Sequence, residues 1–208
     1  MMLFVLFFLP WFSAFAVEPG SVMPQGLALL NPDWDEVRAK AEAACAETKT
    51  NAEVARVVTL RMYTDTTVVQ ELHHTAEEVL PALHTSVLEG MAQYGNLDDL
   101  LPLSEAINAT QEDMRVQKAK LDAQLAFDAT YLKALAQTDV NARLPPTERG
   151  TARGQCVVYT IGMVRDLSDT MKIAVGRGQQ VDAIVNGLIA RYPTLESRIK
   201  TDLSDSHP

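Results

Sequence analysis

Little in this chain could carry catalysis, and each shortage narrows the reading. No serine lies in a Gly-x-Ser-x-Gly setting, so the nucleophile elbow that motif builds is absent. Gly176-Arg177-Gly178 offers one basic residue between two glycines, which is not a phosphate-binding loop. Lys and Arg form no run, and 27 acidic residues against 18 basic ones leave a net charge of −9. Binding through counterion release needs clustered cations, so nucleic acid and anionic membrane surfaces are disfavoured as partners. After residue 16 no apolar stretch approaches the roughly 20 residues that a membrane-crossing helix requires. There is no strand pattern of convincing length and no repeat at a fixed period.

What is present begins with an export signal. Met1 to Ala16 carries no charged side chain, runs Leu3-Phe4-Val5-Leu6-Phe7-Phe8-Leu9 into Pro10, and ends in the small-x-small sequence Ala14-Phe15-Ala16. That is the layout of a cleavable secretory segment, too short and too broken to be a membrane anchor. Cleavage would leave a mature chain starting at Val17, periplasmic or secreted, with 208 − 16 = 192 residues. That is enough to bury a core as one domain. Residues 17–32 read as an extended lead-in, 33–203 as a single helical domain, and 204–208 as a polar tail.

Periodicity gives the fold class: all-α, a helical bundle of about five helices with a long antiparallel helical hairpin. The first helix starts near Asn31-Pro32-Asp33, where Asn31 or Asp33 can cap it, and runs to about Thr48. The second runs from Asn51 to about Tyr94, with a seam through Val58, Met62, Val69, Leu72, Ala76, Val79, Leu83 and Val87. Thr64-Asp65-Thr66-Thr67 could restart it, Pro81 should kink it near Glu78, and Gly95-Asn96 should stop it. The third covers Leu103 to Gln137, its seam reading Leu103, Ile107, Thr110, Met114, Gln117, Leu121, Leu125, Asp128, Leu132 and Leu135. The short connection before it makes it the antiparallel neighbour of the second. Asp139 to Gly154 reads as a loop. A fourth helix is expected over Gln155 to Val175, stopped by Gly176-Arg177-Gly178, a fifth then reaches Tyr192, and Pro193 opens a last amphipathic turn.

Four features could bear function. Cys45 and Cys156 border apolar stripes, and an even cysteine count in an exported chain favours a disulfide between them. His73 and His84 lie eleven residues apart with Glu77 between, so a straight helix would put all three on one face as candidate metal ligands. Against this, only one Glu-x-x-His occurs, and Pro81 bends the helix between the ligands. Asp65, Thr110, Gln117 and Asp128 occupy seam positions that ought to be apolar. Either they find buried partners, or the seam rotates to the surface there. Asn108-Ala109-Thr110 is a glycosylation sequon inside a helix, with Thr110 in the seam. The functional expectation is a non-enzymatic exported bundle that contacts another protein, needing no cofactor. The alternative is a bundle that holds a small ligand or a metal.

Overall fold

The computed structural model describes residues 29–137 and 146–205 of the chain. The stretch read as an export signal, nearly all of the expected lead-in, the Pro145 region and the last residues of the tail lie outside them. Among the described residues all regular structure is helical: α1 (Trp34–Ala44), α2 (Asn51–His74), α3 (Leu80–Ala92), α4 (Leu101–Ala136), α5 (Pro146–Arg191) and α6 (Thr194–Asp205). A π turn, Thr75–Val79, joins α2 to α3 into one rod, and a 3-10 turn, Leu97–Leu100, leads into α4.

The ends follow from local chemistry. The Asp33 carboxylate accepts from Asp35 N and Glu36 N and caps α1, whose first turn is acidic as the helix dipole favours. Thr50-Asn51-Ala52-Glu53 is a capping box: Glu53 Oε2 accepts from Thr50 N at 2.8 Å, and Glu53 N donates to Thr50 Oγ1 at 3.3 Å. Gly95 ends the rod with φ of 67°, a conformation that a side chain would strain.

The expected kink at Pro81 is resolved as the π turn. Leu80 N donates to Thr75 O, five residues back. In that register the partner of Ala76 O would be the nitrogen of residue 81, a proline with no N–H to give. The orphaned carbonyl instead accepts from Gln111 Nε2 of α4 at 2.6 Å.

Two expected interruptions are absent. Thr64, Thr66 and Thr67 turn their hydroxyls back onto the carbonyls of Leu60, Met62 and Tyr63, which leaves α2 unbroken. Gly176-Arg177-Gly178 does not end a helix either, because α5 runs continuously for 46 residues. It also begins at Pro146, inside the stretch read as a loop. Proline suits the first helical position, since its missing N–H needs no partner there. Glycine lowers helix propensity by only about 1 kcal/mol, which packing along so long a seam outweighs.

The chain divides into two compact units. One unit takes Gln70–Lys118 and the chain from Lys172 onward. In it α3 and α4 run antiparallel: His84 meets Ser104, Ala76 meets Gln111 and Glu77 meets Arg115. The end of α5 meets α4 through Arg177–Asp113 and the 3-10 turn before it through Arg191–Asp99. Leu195 of α6 seats against Gly90, where any Cβ would collide with it. The other unit takes, among the described residues, 29–69 together with 119–137 and 146–171. Its core includes Val54, Val58, Leu135 and Tyr159, drawn from α2, α4 and α5. Cys45 and Cys156 are bonded there with Cα atoms 5.8 Å apart, as the sequence suggested, and this fastens α1 to α5. Trp34 lies over the Arg165 guanidinium near the other end of α1.

Among the described residues no helix is long and apolar enough to cross a membrane.

A buried acidic cluster as candidate functional site

The second unit carries charge in its interior. The stripe that α2 buries runs Val54, Val58, Arg61, Asp65, Val68, Leu72. The steps of four and three are regular, so the helix turns its charged residues inward by geometry alone. Arg61 reaches α5, giving Asp166 Oδ2 two hydrogen bonds, from Nη2 at 2.6 Å and from Nε at 3.0 Å. Its guanidinium passes over the Tyr159 ring and beside Gly162, where a Cβ would sit 2.9 Å from Nη1. Glycine at this position gives the guanidinium its room.

Asp65 has no comparable partner. It is 0% exposed, its nearest cation is Arg61 Nε at 3.4 Å, and neither carboxylate oxygen has a hydrogen bond among the described residues. From α4, Asp128 is equally buried; Oδ1 accepts from Gln124 Nε2 at 2.7 Å, while Oδ2 has no partner among the described residues. Tyr131 stacks on Tyr159, with centroids 5.6 Å apart, and its hydroxyl bonds Gln155 of α5.

An ionised carboxylate needs water, a cation or N–H donors, and burial removes the first. Burial is the main force that raises the pKa of Asp65 from 3.8 to about 7. The negative charge of Asp166 adds to the rise, Arg61 opposes it, and Asp128 contributes a smaller push upward. Asp166 is shifted up by burial as well, with Arg61 pulling it back. Burial and the Asp128 charge both disfavour ionisation of the Tyr159 phenol. Arg61 thus satisfies Asp166 well, Asp128 has Gln124 and the Tyr159 hydroxyl beside it, and Asp65 is left with a charge that no hydrogen bond meets. A carboxyl that titrates near neutrality suits a general acid or base. Here no substrate atom can reach it unless the helices part.

Arg61 and Asp166 are members of this cluster that sequence reasoning passes over. The signal is there: Arg61 stands three residues after Val58 and four before Asp65, in the seam itself. The sequence-based seam through Met62 and Val69 runs slightly to one side, and both of those residues are only half-buried. Asp65, Thr110, Gln117 and Asp128 are all buried, so the seam does not rotate to the surface at these positions.

His73, Glu77 and His84 are not gathered into one set of ligands. The π turn between the histidines adds about one residue to a turn, which swings His84 by roughly 100° away from the face a regular helix would give it. Glu77 is exposed and paired with Arg115 Nε at 2.8 Å, a bond that holds its pKa below the ordinary value. His84 Nε2 lies 2.7 Å from Ser104 Oγ. Among the described residues no three His, Cys, Asp or Glu side chains are placed to share a metal ion. At the sequon Asn108 is exposed, but Thr110 is buried with its hydroxyl donated to Ala106 O at 2.7 Å.

In the first unit, side-chain hydrogen bonds fix the turn between α3 and α4. Asp99 accepts from Arg191 Nη1 at 2.8 Å, Tyr192 OH at 2.9 Å and Asn96 Nδ2 at 2.9 Å. Tyr94 and Tyr192 pack ring against ring beside it. This fixed turn leaves Leu97 53% and Leu101 62% exposed.

No family model, no curated protein and no solved structure matches the chain.

Proposed function

We propose that the protein is exported and acts without catalysis, by presenting the turn between α3 and α4 to another protein. The observation that carries this reading is the Leu97–Leu101 pair. Two large apolar side chains stand in water four residues apart, on a turn that hydrogen bonds to Asp99 hold in place. Preorganised apolar anchors are what a protein interface uses, because little entropy remains to be lost on docking. Asp98 and Glu105 flank the pair and are exposed, so the partner is expected to offer an apolar pocket with a basic rim. Export is supported by the signal-like residues 1–16 and by the Cys45–Cys156 bond, since such bonds persist in oxidising compartments.

The test is cross-linking in the native exported fraction, comparing wild type with Leu97→Asp/Leu101→Asp. The reading expects a defined partner that the double variant loses while keeping its helical circular dichroism. A partner held equally by both, or a strictly monomeric wild type with none, overturns it. Amino-terminal sequencing of the exported protein should begin at Val17.

The second reading, a bundle that holds a small ligand or metal, is favoured by the buried acidic cluster around Asp65. Native mass spectrometry with elemental analysis of the purified protein decides it. Bound metal abolished by His73→Ala would restore the histidine site, and metal abolished by Asp65→Asn would point to the cluster.

A further inference from the structure

We propose that Asp65 and Asp166, which share Arg61 in the core, form a proton-binding centre that makes the packing of α2 against α4 and α5 respond to pH. The inference is independent of the partner-binding surface. It rests on a mismatch in the core: one guanidinium serves two carboxylates, Asp65 and Asp166, while the charge of Asp128, as fully buried as Asp65, acts on Asp65 from α4. Charge of that kind cannot stay uncompensated in a helix interior, so the site must take up cations or protons. The geometry favours protons. Among the described residues no three acidic or His/Cys side chains converge on a common metal position, and the free oxygens of Asp65 and Asp128 lie where water does not reach.

The groups facing Asp65 come from each helix packed on it. Arg61 shares its own helix; α4 supplies Asp128, with Gln124 bonded to it; α5 supplies Asp166. Asp166 is itself influenced by Arg165 and Asp169, and Tyr159 stands beside Asp128 with its phenol neutral. From α1 the contribution is Trp34, which lies over Arg165 and carries no charge. A proton on Asp65 removes one buried negative charge and turns an acceptor-only group into a donor. Loss of that proton leaves α2 carrying a buried anion that Arg61, already committed to Asp166, does not match.

The sign follows from linkage. Asp65 binds its proton more tightly folded than unfolded, at about 7 against 3.8. Its contribution is therefore fully present below pH 4 and is lost as pH rises through 7. Asp166, also shifted upward, acts in the same direction. Thermal unfolding of the full, disulfide-intact chain between pH 5 and pH 8 tests this. The wild-type Tm is expected to fall on the order of 5–10 °C across that window, and Asp65→Asn to flatten the slope. Hydrogen exchange of the wild type, corrected for intrinsic rates, should show protection around residues 58–69, 121–132 and 156–167 dropping selectively at pH 8. This second measurement needs no variant to fold. A wild-type Tm that is flat or rises from pH 5 to 8 overturns the proposal, as does uniform loss of protection. Restoration of the pH 8 Tm by Mg²⁺, Ca²⁺ or Zn²⁺ alone, abolished in Asp65→Asn, also overturns it, because the centre would then be a cation site.

Discussion

Reducing the Cys45–Cys156 bond should loosen the protein in two separable ways. The bond closes a loop of 111 residues, and α1 buries little besides it: Val37 and Ala41 are the buried residues of that helix. An eleven-residue helix is too short to persist alone in water, so the bond is the main reason α1 stays docked. Chain-entropy arithmetic for a loop of this length gives about 4–5 kcal/mol, an upper value because residual structure in the unfolded chain reduces it. For a protein of this size that corresponds to a Tm change on the order of 10 °C. Urea unfolding of oxidised, reduced and Cys45→Ala/Cys156→Ala protein separates the contributions. The oxidised-to-reduced difference reports the cross-link, and the alanine variant adds the packing of two buried side chains. Hydrogen exchange on the reduced protein should show Trp34–Ala44 opening below the urea concentration at which the rest unfolds. A difference under about 1 kcal/mol, with the α1 amides still protected, would mean that apolar contacts hold α1 and that the loop argument fails.

Three substitutions test individual contacts. Gln111→Leu should destabilise by about 1–3 kcal/mol, because Ala76 O then has no donor; a neutral result in urea unfolding would mean that the π turn finds another partner. Gly162→Ala should also cost about 1–3 kcal/mol by pressing on the Arg61 guanidinium, and it should weaken the Arg61–Asp166 contact in a crystal structure of the variant. Gly176→Ala should instead stabilise by about 0.5–1 kcal/mol, since a Cβ meets nothing within 4 Å and the position is mid-helix; a lowered Tm would contradict the continuous α5.

Much of the fold is legible in the residues because helix patterning is local. The α4 seam holds from Leu103 through Thr110, Met114, Gln117, Leu121 and Asp128 to Leu135, with Leu125 and Leu132 only half-buried. The Asp33 cap and the Gly95 stop are equally plain. Local reading fails where a local preference meets a tertiary contact. Gly176 and Gly178 resemble a stop, but helix ends are decided by the packing beyond them. The π turn depends on Gln111 from another helix, which no window around Pro81 contains. His73 and His84 share a face only if the helix between them is regular, and that turn removes the regularity. Arg61 escapes notice because a charged residue is read as surface by default, although its spacing from Val58 and Asp65 places it inward.

The buried polar residues of this chain are not equivalent, and the difference explains why function is sought at Asp65 rather than Thr110. Ser86, Thr110, Thr160 and Thr170 each donate a hydroxyl to the carbonyl four residues back, so each is satisfied within its own helix. A hydroxyl in a seam therefore says little about its neighbours. An ionised carboxylate only accepts, and the N–H groups of a helix interior are already committed to the backbone. Asp65 can be satisfied only from another side chain or by a proton. Arg61 is the nearest candidate, and its best bonds go to Asp166. A seam aspartate thus carries information that a seam threonine does not: it requires a partner or a titration. On α4, Asp128 differs in having partners: Gln124 bonds one oxygen, and the Tyr159 hydroxyl stands beside the carboxylate. If Asp65→Asn and Asp128→Asn each raise stability at pH 8, and the double variant gains less than their sum, the two burials are energetically coupled. Strict additivity would make them independent burials.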